Sequence, residues 1–206
     1  MALTNYSDLK STIANYLART DLTDQIPDFI RLAEVRLRRD LRIRQMLKSA
    51  TTLTTGGDST VGLPSDFLEL RNIHLVTNPI RDLQFVSPAI FYRNGRVHES
   101  GIPVFYTVMA NEFKFAPAPD GEYTLDMLYY AAPEYLSDTV PSNEFMANCP
   151  DLLLYGALVE AEPYLMNDAR IQLWAGMFDR GLATLTAADD RAEYSGVPIK
   201  MTLAAR

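Results

Sequence analysis

The sequence predicts an α+β fold, with a helical bundle drawn from both chain ends and a small antiparallel β-module inserted between them. Three observations lead there. Apolar residues recur every three or four positions as far as residue 48 and again after Pro150, which is helical spacing. From Ser49 to Ala132 they alternate instead, with turn-forming residues every ten positions or so, which is the signature of short strands. The 206 residues are 48% hydrophobic and 22% charged, a balance that buries a core and excludes wholesale disorder. The expected division is residues 1–48 and 133–190 for the bundle, 49–132 for the β-module and 191–206 for an extended tail.

Taken in order, Thr4 or Asn5 offers a short polar side chain to cap a first helix, whose apolar face is Leu9, Ile13, Tyr16 and Leu17. Thr23 or Asp24 is expected to cap a second, with Pro27 in its first turn and Ile26, Ile30, Ala33, Leu37 and Leu41 as its stripe. Residues 51–55 run into Gly56-Gly57-Asp58, so the spacing predicts a hairpin returning through 61–63. Strands are expected over 67–76, 83–86, 104–109, 112–116 and 123–131, with a short helix opened by Ser87-Pro88 over 89–93. Such a series of short strands suggests a sandwich or barrel. Helical spacing resumes with a turn at 143–146. A helix from Pro150 presents Leu154, Ala157, Leu158, Ala161 and Leu165, and is kinked or ended by Pro163. A last helix, capped by Asn167, carries Ile171, Trp174, Ala175, Phe178, Leu182 and Leu185.

The composition excludes several kinds of chemistry. A lone Cys149 allows no intramolecular disulfide, and with two histidines, His74 and His98, no His- or Cys-rich metal centre is expected. No cofactor is expected either, because Walker, GxGxxG, GxSxG and HExxH patterns are all missing. Cys149 precedes a helix start, but no histidine is expected beside it. Asp66 and Glu69 read more simply as a turn former and a strand-surface charge than as an acid/base pair. No apolar run approaches the ~18 residues of a membrane span, and the first residues have neither a basic nor an apolar signal region.

The main electrostatic feature is the second helix. Residues 31–48 hold Arg31, Arg36, Arg38, Arg39, Arg42, Arg44 and Lys48 against Glu34 and Asp40, a net +5 that leaves −12 for the rest of a chain at −7. The arginines wrap most of the polar side, whereas a DNA-binding stripe would be tighter. A solvated face and an interface with an acidic neighbour, including another copy, both remain open. The β-module is rich in Phe and Tyr, which suits cross-strand packing better than base or sugar stacking.

Three stretches carry a resemblance. They are residues 63–70 (LPSDFLEL), residues 149–161 (CPDLLLYGALVEA) continuing through Asn167-Asp168-Ala169-Arg170 to Trp174, and residues 191–196 (RAEYSG). In that order, behind an opening helical pair, the chain resembles the head-to-tail adaptor proteins of short-tailed bacteriophages over nearly its whole length. The resemblance implies a structural, non-enzymatic virion protein, made in the host cytoplasm. It implies a dodecameric ring beneath the portal protein that meets tail nozzle or fibre proteins and lets genomic DNA pass without reading it. A tail-nozzle or tail-completion subunit would share the fold, and a glycan-binding or cell-wall-degrading virion protein is the competing class. Two surfaces are expected at the ring or portal interface. One is the off-stripe trio Arg38, Arg39 and Arg42. The other is the alternating Ile199, Met201 and Leu203 of the tail, which can add to a neighbour's edge or groove.

Overall fold

The computed structural model describes residues 3–19, 21–93, 95–166 and 169–193. The chain is mixed α+β with largely antiparallel sheets, and it divides into two compact units, residues 1–45 with 133–206 and residues 46–132.

The first unit is helical. Helix α1 (Tyr6–Leu17) is capped by Asn5, whose Oδ1 accepts from the Asp8 N–H at 2.9 Å. Its buried face is Tyr6, Leu9, Ile13 and Leu17. Tyr16, expected on that face, is exposed, because the stripe starts one turn earlier at Tyr6. Helix α2 (Ile26–Asp40) is entered through Gln25, with no side-chain cap. Thr23 and Asp24 are therefore not the cap, and Pro27, with no N–H to satisfy, occupies the first turn. Ile26, Ile30, Ala33, Leu37 and Leu41 are buried as the spacing requires, joined by Phe29 and by one acid, Glu34.

Helix α4 (Glu144–Asn148) is capped by Asn143, and α5 (Pro150–Glu160) follows at once. The expected single face of α5 is too narrow. Leu152, Leu153 and Gly156 are buried along with Leu154, Ala157 and Leu158, because α1, α2, α4 and α7 (Arg170–Glu193) all pack on it. The chain breaks at Ala161 and restarts as α6 (Glu162–Leu165), with Pro163 in its first turn. On α7 only Ile171, Trp174 and Phe178 are buried, and the expected continuation through Leu182 and Leu185 is half-exposed. The helix runs to Glu193, so residues 191–193 are helical rather than extended. The expected cap Asn167 and the tail residues Ile199, Met201 and Leu203 lie outside the described residues.

The second unit is two four-stranded sheets. One has the order β1 (Leu47–Leu53), β8 (Thr124–Ala131), β3 (Phe67–Leu75), β4 (Arg81–Asp82). The other has β2 (Thr60–Gly62), β7 (Glu112–Ala116), β6 (Phe105–Met109), β5 (Gln84–Phe85). Helix α3 (Pro88–Arg93) follows β5. Among the named strands all pairings are antiparallel except β5 with β6, and an isolated bridge between Ser100 and Ala118 is also parallel. The alternation does its work on β7 and β8. Phe113 and Phe115 from one sheet share a core with Leu125, Met127 and Tyr129 from the other, and Ile73, Leu75 and Leu83 complete it.

The hairpin expected at Gly56-Gly57 is not a strand pair. β1 pairs with β8, in the register Leu47 with Tyr130 through Leu53 with Thr124, while β2 pairs with β7 in the other sheet. The Gly-Gly turn switches the chain between sheets. Gly57 takes a positive φ of 84° and donates its N–H to Pro119 O at 2.7 Å. A Cβ on Gly56 would sit 3.3 Å from Gly121 Cα, so the two turns close on each other. Because β1 opens the unit and β8 closes it, the chain enters and leaves along neighbouring strands.

Candidate assembly interface

The arginines of α2 and of the residues just after it, Arg31 to Arg44, concentrate positive charge, and most of it is spent inside the chain's own helical unit. The guanidiniums of Arg31 and Arg38 both lie on the ring of Tyr135. Arg38 also donates to the carbonyl oxygen of Pro133. Burial lowers the Arg38 guanidinium from its ordinary value, against the pull of Tyr135 and Glu34. Arg36 lies 4.3 Å from the centre of the Phe178 ring and 3.7 Å from Asp179. Arg44 pairs with Asp189 at 3.0 Å, and Asp189 also accepts from the Arg44 backbone N–H. Arg42 turns back on its own helix end, donating to Leu41 O at 2.7 Å and Arg38 O at 2.9 Å. Of the predicted trio, Arg39 is the exposed member.

Among these arginines lies a residue that charge counting passes over. Glu34 is 1% exposed. Its Oε1 accepts from the Leu136 N–H at 3.0 Å and from Asn143 Nδ2 at 2.8 Å, and Asn143 in turn caps α4. Residues 133–143, which have no regular structure before Asn143, are therefore held to α2 by Glu34, Arg31 and Arg38. They are held to α1 by the Tyr6 N–H on Pro141 O at 2.8 Å and by Lys10 on Asp138 at 2.8 Å. The signal was in the sequence, since position 34 falls on the Ile30–Ala33–Leu37–Leu41 face. For Tyr135 there was none.

These contacts separate the trio. Arg39→Glu is expected to leave stability within about 0.5 kcal/mol of the parent. Arg38→Glu is expected to cost about 2 kcal/mol through the lost Tyr135 and Pro133 contacts. Urea midpoints measure both, and equal values would show that the Tyr135 contact carries no stability.

The candidate reactive groups are spread over several of the chain's elements. Cys149 is buried, and burial with Asp151 nearby pushes its thiol up to about 12, far from a thiolate. Burial raises the Asp66 carboxyl, but hydrogen bonds from Lys48 at 2.8 Å and Tyr129 at 2.9 Å outweigh this and hold it low. Glu69 is on β3 and has a partner of its own. His74 on β3 lies 3.6 Å from Asp126, and His98 ends a short 3-10 turn. Among the described residues no three His, Cys, Asp or Glu side chains are grouped to hold a metal ion, and no helix is long and apolar enough to cross a membrane.

Exposed large apolar side chains are spread over both units, among them Tyr16, Leu32, Leu53, Val76, Ile80 and Met166. On the helical unit, Leu173 and Met177 of α7 are exposed, and Met177 borders a groove of about 470 Å³ with Leu152, Tyr155, Gly181 and Leu185. On the β unit, Phe85, Ile90 and Tyr92 are each more than half exposed, whereas Phe91, Phe113 and Phe115 are fully buried. The aromatic side chains of this unit thus divide between core and surface.

The family described as SU10 adaptor protein matches residues 4–201, nearly the whole chain and both structural units. The chain belongs to the SU10 adaptor protein family. No curated protein matches it. Family membership makes it a structural adaptor of a bacteriophage, a component of the head–tail junction. In this SU10 adaptor Leu173, Met177, Phe85, Ile90, Tyr92 and Arg39 are all exposed.

Proposed function

We propose that the chain is a ring-forming head-to-tail adaptor, with its copies joined beneath the portal around the channel that the genome crosses. The family match over residues 4–201 is the observation that carries this reading. The helices of the two chain ends act as one bundle in the ring wall. Leu173, Met177 and the groove beside them supply apolar surface for a neighbouring copy, and Arg39 adds charge at the same kind of contact. The exposed Phe85, Ile90 and Tyr92 of the β unit supply surface for nozzle or fibre proteins. A net charge of −7 per chain, repeated around a ring, disfavours adhesion of DNA to the wall. No step of this role calls for catalysis or a cofactor.

The test is electron microscopy and native mass measurement of the full chain, alone and mixed with its cognate portal. Closed rings, free or seated on the portal, are the expected result. A chain that stays monomeric alone and with portal would overturn the proposal.

A further inference from the structure

Two four-stranded sheets have four edges, and three of them are short: β2, β4 and β5 span two or three residues each. β1 spans seven, contains no proline, and pairs with β8 without a bulge. Among the described residues no backbone hydrogen bond outside the β1–β8 ladder reaches residues 49–53. Such an edge presents a row of N–H and C=O groups to whatever extended chain comes alongside, and natural sheets blunt edges of this length unless they are used.

The faces of β1 are also distinct. Ala50 and Thr52 pair with the core residues Met127 and Leu125 and share their face, while Ser49, Thr51 and Leu53 lie on the other. Ala50 and Thr52 are short, so the apolar layer thins towards this edge. A strand with apolar residues at alternate positions would extend it.

The chain's tail carries such a sequence. Ile199, Met201 and Leu203 alternate with Lys200 and Thr202. Residues 194–206 carry Lys200 and Arg206 and no acid, while residues 46–132 carry nine acidic against six basic side chains. The two are opposite in charge. We propose that the open edge of β1 receives residues 199–203 of a neighbouring copy as a fifth strand. Ile199, Met201 and Leu203 lie on the face of Ala50 and Thr52, and Lys200 and Thr202 beside Thr51. The proposal rests on the ring reading, since the strand comes from another copy, and it turns a lateral contact into an exchange of chain between neighbours.

Face parity makes it testable with full-length chains. A Thr51→Cys chain is co-assembled, alone and on the portal, with a chain bearing Lys200→Cys or Thr202→Cys, and separately with one bearing Ile199→Cys, Met201→Cys or Leu203→Cys. Mild oxidation follows, with Cys149 shielded by burial. Circular dichroism first confirms that each variant folds. Cross-linked pairs from the Lys200 or Thr202 series, several-fold above the other series, are expected. Equal yields in both series would mean proximity without strand pairing and would overturn the proposal. Rings that form without any cross-link would overturn it and leave the ring reading intact. Monomers under every condition would remove both. A Thr51→Cys, Thr202→Cys double variant that cross-links only within its own chain would place the chain's own tail on the edge, which also overturns it.

Discussion

Replacing Glu34 by alanine is expected to destabilise the chain by about 3 kcal/mol, the cost of leaving buried donors without their acceptor. The Leu136 N–H and Asn143 Nδ2 both lose Oε1, and Asn143 loses part of what holds it over the α4 N-terminus. Glu34→Gln keeps a carbonyl oxygen at the same place and should lose far less. The pair also has a signature in pH. Burial raises the Glu34 carboxyl above its ordinary 4.5, although Leu136, Asn143 and Arg38 oppose the shift. A carboxyl raised on folding holds its proton more tightly in the folded chain. Its contribution is therefore complete below its unfolded value and is lost as pH rises through its folded one. The glutamine has nothing to ionise. The stability difference should thus move in favour of Glu34→Gln as pH rises from about 4 to about 8. Urea midpoints across that range measure it, and a pH-independent difference would show that Glu34 ionises as freely in the folded chain as in solvent.

The second large effect is expected at Gly156. A Cβ there would lie 3.0 Å from the Ala33 Cβ of α2 and 3.2 Å from Cε2 of Phe178 on α7, so α5 is held from two sides at one residue. Gly156→Val adds a branched side chain where neither neighbour can retreat, because both Ala33 and Phe178 are fully buried. A loss of about 3 kcal/mol is expected, at the upper end for an overpacked core. Gly176 on α7 is the control. A Cβ there meets nothing within 4 Å, so Gly176→Ala should gain about 0.5–1 kcal/mol from helix propensity alone. Thermal melts of both variants decide it. A Gly156→Val chain as stable as the parent would mean that the helices can separate at this crossing.

These two residues also show what the sequence could and could not convey. Period alone located the apolar stripe of α2, the strands β3, β6, β7 and β8, and the short helix after Ser87-Pro88, because each depends on neighbours a few positions away. It failed where the partner is distant. Gly56-Gly57 has the composition of a hairpin turn, yet β1 finds its partner beyond residue 123, and no local rule reports that. The link between β6 and β7 is a two-residue turn with positive φ at both Ala110 and Asn111, and it lacks the glycine that would have marked it. Helix α5 is apolar nearly all round, so no single face could be chosen for it. For the assembly surface, the charge count found residues 31–48 but could not see that Tyr135, Asp179 and Asp189 lie against their arginines. Only side-chain positions reveal that Arg39 is left outward while Arg38 is engaged. The tail alternation at Ile199, Met201 and Leu203 was legible as a pattern, and its proposed acceptor edge became visible only once the strand order of the sheets was known.

The adjacency of β1 and β8 has a consequence for how such chains diversify. Residues 46–132 begin and end on paired strands, so both junctions of the insertion lie at one place on the module. A recombination event that replaces this stretch with another module whose ends are likewise paired leaves the α2–α5–α7 packing with every residue it needs. The helical unit can thus be inherited unchanged while the β unit is replaced wholesale. Lineages of this architecture should vary over residues 46–132 more readily than at either end.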